Sequence, residues 1–78
     1  MATLTQQPTL ISATTEKLIS GATAVSIFAQ TGNSTISGNG SFVLAQGVGV
    51  AFESNGNVLG DITVTPAEGA TALISLFK

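Results

Sequence analysis

A chain of 78 residues with a net charge of −2, two lysines and no arginine lacks the clustered cations that nucleic-acid phosphates require. With no Cys and no His it also lacks a disulfide framework and the usual zinc ligands. A domain of this size buries only about 60–65% of the surface its unfolded chain exposes. With 8% charged residues and a mean hydropathy of +0.50, association with other chains is the remaining means of stabilising it.

Residues 1–8 are polar, and Pro8 biases Gln7 toward extended geometry. This segment reads as an extended N-terminal arm, with Gln6, Gln7 and Pro8 as candidate contacts to a neighbour, followed by a single β-domain over residues 9–78. The opening MATLTQQPTL has neither the basic nor the apolar region of a secretory leader. No run approaches the ~18 apolar residues of a membrane-spanning helix. The sequence therefore predicts synthesis in a cytoplasm and no membrane partner.

Thr9–Ala13 is the first predicted strand. Thr14–Lys17 is a polar break before Leu18 and Ile19, with a one-turn helix over Thr15–Ser20 as the competing reading. In the next run, ATAVSIFAQ at Ala22–Gln30, alternation sends Val25 and Ile27 toward a core and Phe28 to the other side, where it needs a second layer or another subunit. Thr31, Gly32 and Asn33 form a turn, and Ser34–Ser37 is a short strand centred on Ile36. The pair Asn39-Gly40 predicts a type I′ hairpin, because both residues tolerate positive φ.

Ser41–Leu44 places Phe42 and Leu44 on one face; Gln46 and Gly47 interrupt before Val48, Val50 and Phe52 resume. Gly49 in mid-strand predicts a β-bulge in preference to a crowded contact. Asn55-Gly56 is a second turn pair, Asp61–Thr65 alternates with Ile62 and Val64 on one face, and Pro66 to Gly69 turns the chain. The last strand, Thr71–Phe77, is apolar on both faces, with Leu73 and Phe77 opposite Ala72, Ile74 and Leu76. Such a run is buried on both sides. In a small domain the second side meets another chain, which adds Phe28, Leu73 and Phe77 to the candidate interface. GATAVSIF at Gly21–Phe28 echoes GATALISLF at Gly69–Phe77, and shared composition explains this better than duplication, because the intervening segments do not repeat. Together these runs and turns predict an all-β fold, a small antiparallel β-sandwich or barrel of about 6–8 short strands with hairpin connections.

Chemistry is sparse. A Ser or Thr nucleophile needs an activating base, yet there is no His, and Lys17 and Lys78 lie in a polar break and at the C-terminus. Glu16, Glu53, Asp61 and Glu68 fall at predicted strand ends or in turns, where they are solvated charges rather than a pair flanking a cleft. Glu53, Asn55, Asn57 and Asp61 offer oxygens, in a spacing that matches no EF-hand loop. No predicted helix follows the GNG or GVG triplets to hold an anion. The sequence predicts no enzyme, no catalytic residue, no metal and no cofactor.

The pattern TGN-x-TI-x-G-x-G-x-F-x-L at Thr31–Leu44, G-V-x-V-x-F at Gly47–Phe52 and ITVTPA-x-GATALISLF at Ile62–Phe77 resembles small virion structural proteins of tailed bacteriophages. The resemblance implies a β-sandwich or β-tulip-like domain, often trimeric, that decorates or cements a capsid, with an N-terminal arm clasping neighbours. It carries no functional residue onto particular positions. The expected partners are further copies of the chain, a trimer by preference, and a major capsid protein or another virion protein, with no nucleic acid; the expected location is the virion. A tail or fibre component for host attachment is the alternative. A self-assembling β-fibre subunit is a third reading, suggested by the low charge and the two-sided last strand.

Overall fold

The structure is a computed structural model that describes residues 7–55 and 57–78. Eight strands carry the chain: β1 (Thr9–Ala13), β2 (Lys17–Ile19), β3 (Ala24–Thr31), β4 (Ser34–Gly38), β5 (Gly40–Leu44), β6 (Gly49–Glu53), β7 (Ile62–Pro66) and β8 (Thr71–Phe77). They form two four-stranded antiparallel sheets, ordered β1-β8-β3-β6 and β2-β7-β4-β5. The all-β sandwich expected from the strand spacing is the fold observed. Among the described residues no helix is long and apolar enough to cross a membrane.

Period-two alternation decides which side chains fill the space between the sheets. Val25, Ile27 and Ala29 of β3 and Ala72, Ile74 and Leu76 of β8 point inward from the first sheet. Ile36, Leu44, Val64 and Ile19 meet them from the second. Val50, Phe52, Ile11, Leu59 and Ile62 close the margins.

Successive strands mostly change sheets, so a continuous run of hairpins is not what joins them. Only β4 and β5 are both consecutive and paired as neighbours. At the other corners, turn residues redirect the chain to the opposite layer. Between β3 and β4 this follows a shift in the β3–β8 register between Ala29 and Thr31 and a Gly32 held at φ +69. The Asn33 carboxamide oxygen accepts a bond from the Gln46 amide at 3.1 Å, and Gln46 Oε1 accepts from the Gly32 amide at 2.9 Å. The Asn33 carbonyl also accepts from the Ala67 amide at 2.9 Å. Three connections at one end of the sandwich are thereby tied together.

Four local expectations need correction. Asn39 does not take positive φ, and Gly38 pairs with Gly40 directly across it, so the β4–β5 turn is tighter than type I′. Gly40, at φ +115, belongs to β5. Pro66 is the buried last residue of β7, level with Ser34, rather than a turn residue; its ring fills core space and needs no donor there. No bulge lies at Gly49, because the β3–β6 register runs unbroken from Ala24–Glu53 to Phe28–Gly49. Nor is the site crowded: a Cβ there would stand 3.5 Å from the Ile27 carbonyl oxygen and 3.6 Å from the Phe28 ring, ordinary contact distances. Gly69 does turn the chain before β8, and Asn55 takes positive φ in its own turn. Gly56 and Gln6 lie outside the described residues.

Candidate interaction surface

The outward face of the β1-β8-β3-β6 sheet carries the most unusual chemistry on the molecule. Its registers set the outward side chains in rows that run across the strands. One row is Leu10, Ser75, Ser26 and Ala51; the next is Ser12, Leu73, Phe28 and Gly49. A third, on the far side of the first, holds Phe77, Ala24 and Glu53. Leu73 and Phe28 therefore stand side by side as a ridge. Ser75, Ser26 and Ala51 floor the trough beside it, and Leu10 stands at the trough's open β1 end. This relief encloses about 600 Å³.

Leu10 is 74% exposed, Phe28 41% and Leu73 37%, while Phe77 is half-buried. Large apolar groups left in water at neighbouring positions mark an interaction site more often than scattered ones do. None of the groove-lining residues is charged. The nearest charge in the rows, Glu53, sits at the corner beyond the trough.

The outward face of the other sheet differs. Thr63, Thr65, Thr35, Ser37 and Ser41 present hydroxyls there, flanked by Leu18 and Val43. The Thr65 hydroxyl donates to Glu16 Oε1 at 3.3 Å. Leu18 and Val43 are themselves exposed, at opposite edges of this hydroxyl-rich face, so the two exteriors differ in the arrangement of their large side chains and in hydroxyl content.

A second hollow of about 580 Å³ opens at the end of the sandwich near the β4–β5 turn, between Ile36, Phe42, Phe52, Leu59 and Ile62. Its one ionisable neighbour, Asp61, is exposed and accepts a 2.9 Å bond from the Ser20 hydroxyl. Between the sheets the inward positions are mostly aliphatic, with Phe52 at the margin and Ser34 as the buried polar residue, and no group of three or more His, Cys, Asp or Glu side chains placed to hold a metal ion occurs among the described residues.

Of the interface residues expected from sequence, Phe28, Leu73 and Phe77 share the outward face of the β1-β8-β3-β6 sheet, and Gln7 and Pro8 are exposed immediately before β1. Leu10 and the small residues of the trough escaped sequence reasoning. Leu10 looks like a core residue of a short strand, and only its pairing opposite Ser75 shows which way it faces.

No protein-family model matches the chain, and no curated protein matches it. Solved structures do. FeII HppE in complex with its substrate superposes with a TM-score of 0.65 at 20% identity over 90% of this chain and 44% of that one. A de novo designed double-stranded β-helix, solved by solution NMR, gives 0.59 at 17% identity over 91% of this chain and 96% of the design. NMB1881 from Neisseria meningitidis gives 0.54 at 18% identity, covering 86% and 69%. The chain spans less than half the length of HppE. At these identities the likeness concerns the fold alone: two antiparallel sheets arranged as in the designed double-stranded β-helix.

Proposed function

We propose that this chain is a non-catalytic structural subunit of a virion, a decoration or cement protein that stabilises a shell through apolar and backbone contacts with neighbouring subunits. The observation that carries the reading is the uncharged groove on the outward face with Leu10, Phe28 and Leu73 exposed along it, beside a largely aliphatic sandwich interior. Binding chemistry lies on the outside, where neighbours attach. The resemblance of Thr31–Leu44 and Ile62–Phe77 to small phage virion proteins supports the kind of assembly, while the structural neighbours bear on the fold alone.

Repetition over a lattice makes modest contacts sufficient: each apolar Å² removed from water contributes about 25 cal/mol before the entropy of association is subtracted. The test is the composition of particles purified from the host. The protein should co-sediment with the shell in a copy number comparable to the major shell protein. A few copies per particle would favour the tail or fibre reading, and its absence from particles would refute both.

A further inference from the structure

We infer that the ridged face of the β1-β8-β3-β6 sheet is a docking site for a second copy of the same chain, packed face to face about a two-fold axis. This deepens the reading as an assembly subunit and rests on it. The argument comes from the order of large and small residues in the two central rows. One row reads Leu10, Ser75, Ser26, Ala51 across β1, β8, β3 and β6; the other reads Ser12, Leu73, Phe28, Gly49 across the same strands. A two-fold axis lying in the interface, parallel to the rows and midway between them, lays each row on the other row of the partner and keeps the strand order.

Every pair this operation creates between the two central rows sets the larger residue against the smaller. Phe28 meets the partner's Ser26, Leu73 meets the partner's Ser75, Leu10 meets the partner's Ser12, and Ala51 meets the partner's Gly49. The ridge of each copy enters the trough of the other, which is the self-complementarity an isologous interface requires. Sheet faces packed in this way sit about 10 Å apart with their side chains interdigitated.

Charge agrees. Two copies of a chain with net charge −2 repel weakly, yet neither central row holds an ionisable group, so no like charges are buried together. Four strands about 4.8 Å apart and two central rows about 6.8 Å apart make about 260 Å² per copy, and the outer row, with Phe77 and Glu53, extends this to about 400 Å², or about 800 Å² for the pair. That is below the roughly 1,200 Å² of a standard specific interface, so the pair should be weak and should form and dissociate with concentration. The hydroxyl face of the other sheet has no comparable alternation.

Sedimentation equilibrium of the whole chain across the micromolar range tests this. The wild type should show a reversible monomer–dimer equilibrium. Leu10→Asp, on an edge strand and exposed, and Ser26→Lys, on the trough floor and exposed, should each weaken it by about tenfold or more, because each buries an unpaired charge on association. Val43→Asp, 63% exposed on the opposite sheet, should leave it unchanged. Circular dichroism melts taken alongside distinguish lost association from lost folding. A wild type that stays monomeric, or a trimer in place of a dimer, overturns the inference. Association lost in Val43→Asp but kept in Leu10→Asp and Ser26→Lys would overturn this face as the interface and leave the assembly-subunit reading standing.

Discussion

Replacing Gly32 with alanine should be among the most damaging single-methyl additions this chain can suffer, and the structure separates the two reasons. Gly32 sits at φ +69, where an L side chain brings its Cβ too near the backbone, at a cost of about 1–2 kcal/mol. A Cβ there would also lie 2.7 Å from the Cβ of Ala70, far inside contact distance. Ala70 cannot retreat easily, since it is buried and follows the Gly69 turn, with its amide bonded to the Ala67 carbonyl at 2.8 Å. Overpacking of this kind costs typically about 1–3 kcal/mol. Against both stands the entropy removed from the unfolded chain, which returns about 0.4–1 kcal/mol. The net loss is therefore about 3 kcal/mol. Gly21→Ala is the reference: its φ is +75, but nothing lies within 4 Å of the added methyl, so it suffers only the backbone strain. For a domain this size 1 kcal/mol moves the melting temperature by roughly 4–8 °C. Gly32→Ala should thus melt roughly 10 °C below Gly21→Ala, within a range of about 4–24 °C, followed by circular dichroism at one fixed protein concentration, because self-association raises the apparent stability. Equal melting temperatures would refute the close contact with Ala70, and a more damaging Gly21→Ala would refute the whole account.

Other outcomes follow from the same packing. The Ser34 hydroxyl is buried without a hydrogen-bond partner among the described residues, so Ser34→Ala should be neutral or stabilise by about 1 kcal/mol in urea unfolding; a loss of more than that would mean the hydroxyl is bonded. Ile27, 1% exposed at the centre of β3, should lose about 3 kcal/mol on truncation to alanine in the same assay, whereas Leu10→Ala on the edge strand should lose under about 1 kcal/mol. Asp61→Asn removes an exposed charge bonded only to the Ser20 hydroxyl and should change the urea midpoint by less than the equivalent of about 0.5 kcal/mol.

What the sequence exposed and what it hid divide along the reach of each signal. Alternation acts over two residues, and it located β1 and β8 to the residue, placed Val25 and Ile27 in the core, and sent Phe28, Leu73 and Phe77 to one side. Turn chemistry is local as well, and here it misled. Asn-Gly and Pro residues look alike whether the chain doubles back within a sheet or crosses to the other, so Asn39-Gly40 suggested a wider hairpin and Pro66 a turn. A mid-strand glycine has two local explanations, and at Gly49 neither holds: the register there is unbroken and an added Cβ would make only ordinary contacts. The ridge and trough depend on long-range pairing: Leu73 stands beside Phe28 because β8 lies between β1 and β3, an order no local pattern encodes.

The near-repeat of GATAVSIF and GATALISLF takes on meaning in that order. The two segments supply β3 and β8, the central strands of one sheet, paired antiparallel with Ser26 opposite Ser75 and Phe28 opposite Leu73. Central strands have no free edge, and in this chain both of their faces are used: aliphatic residues inward, and outward Ala24, Ser26 and Phe28 on β3 against Phe77, Ser75 and Leu73 on antiparallel β8. Antiparallel pairing sets Ser26 level with Ser75, but Phe28 level with Leu73 and Ala24 level with Phe77, so the near-repeat alone does not align the large residues. Leu73, which precedes Ser75, is what completes the ridge beside Phe28. A sheet with such rows is complementary to its own two-fold image wherever the rows lie one residue pair apart, so the same composition that builds the centre of the sheet also builds the surface on which a second sheet can rest.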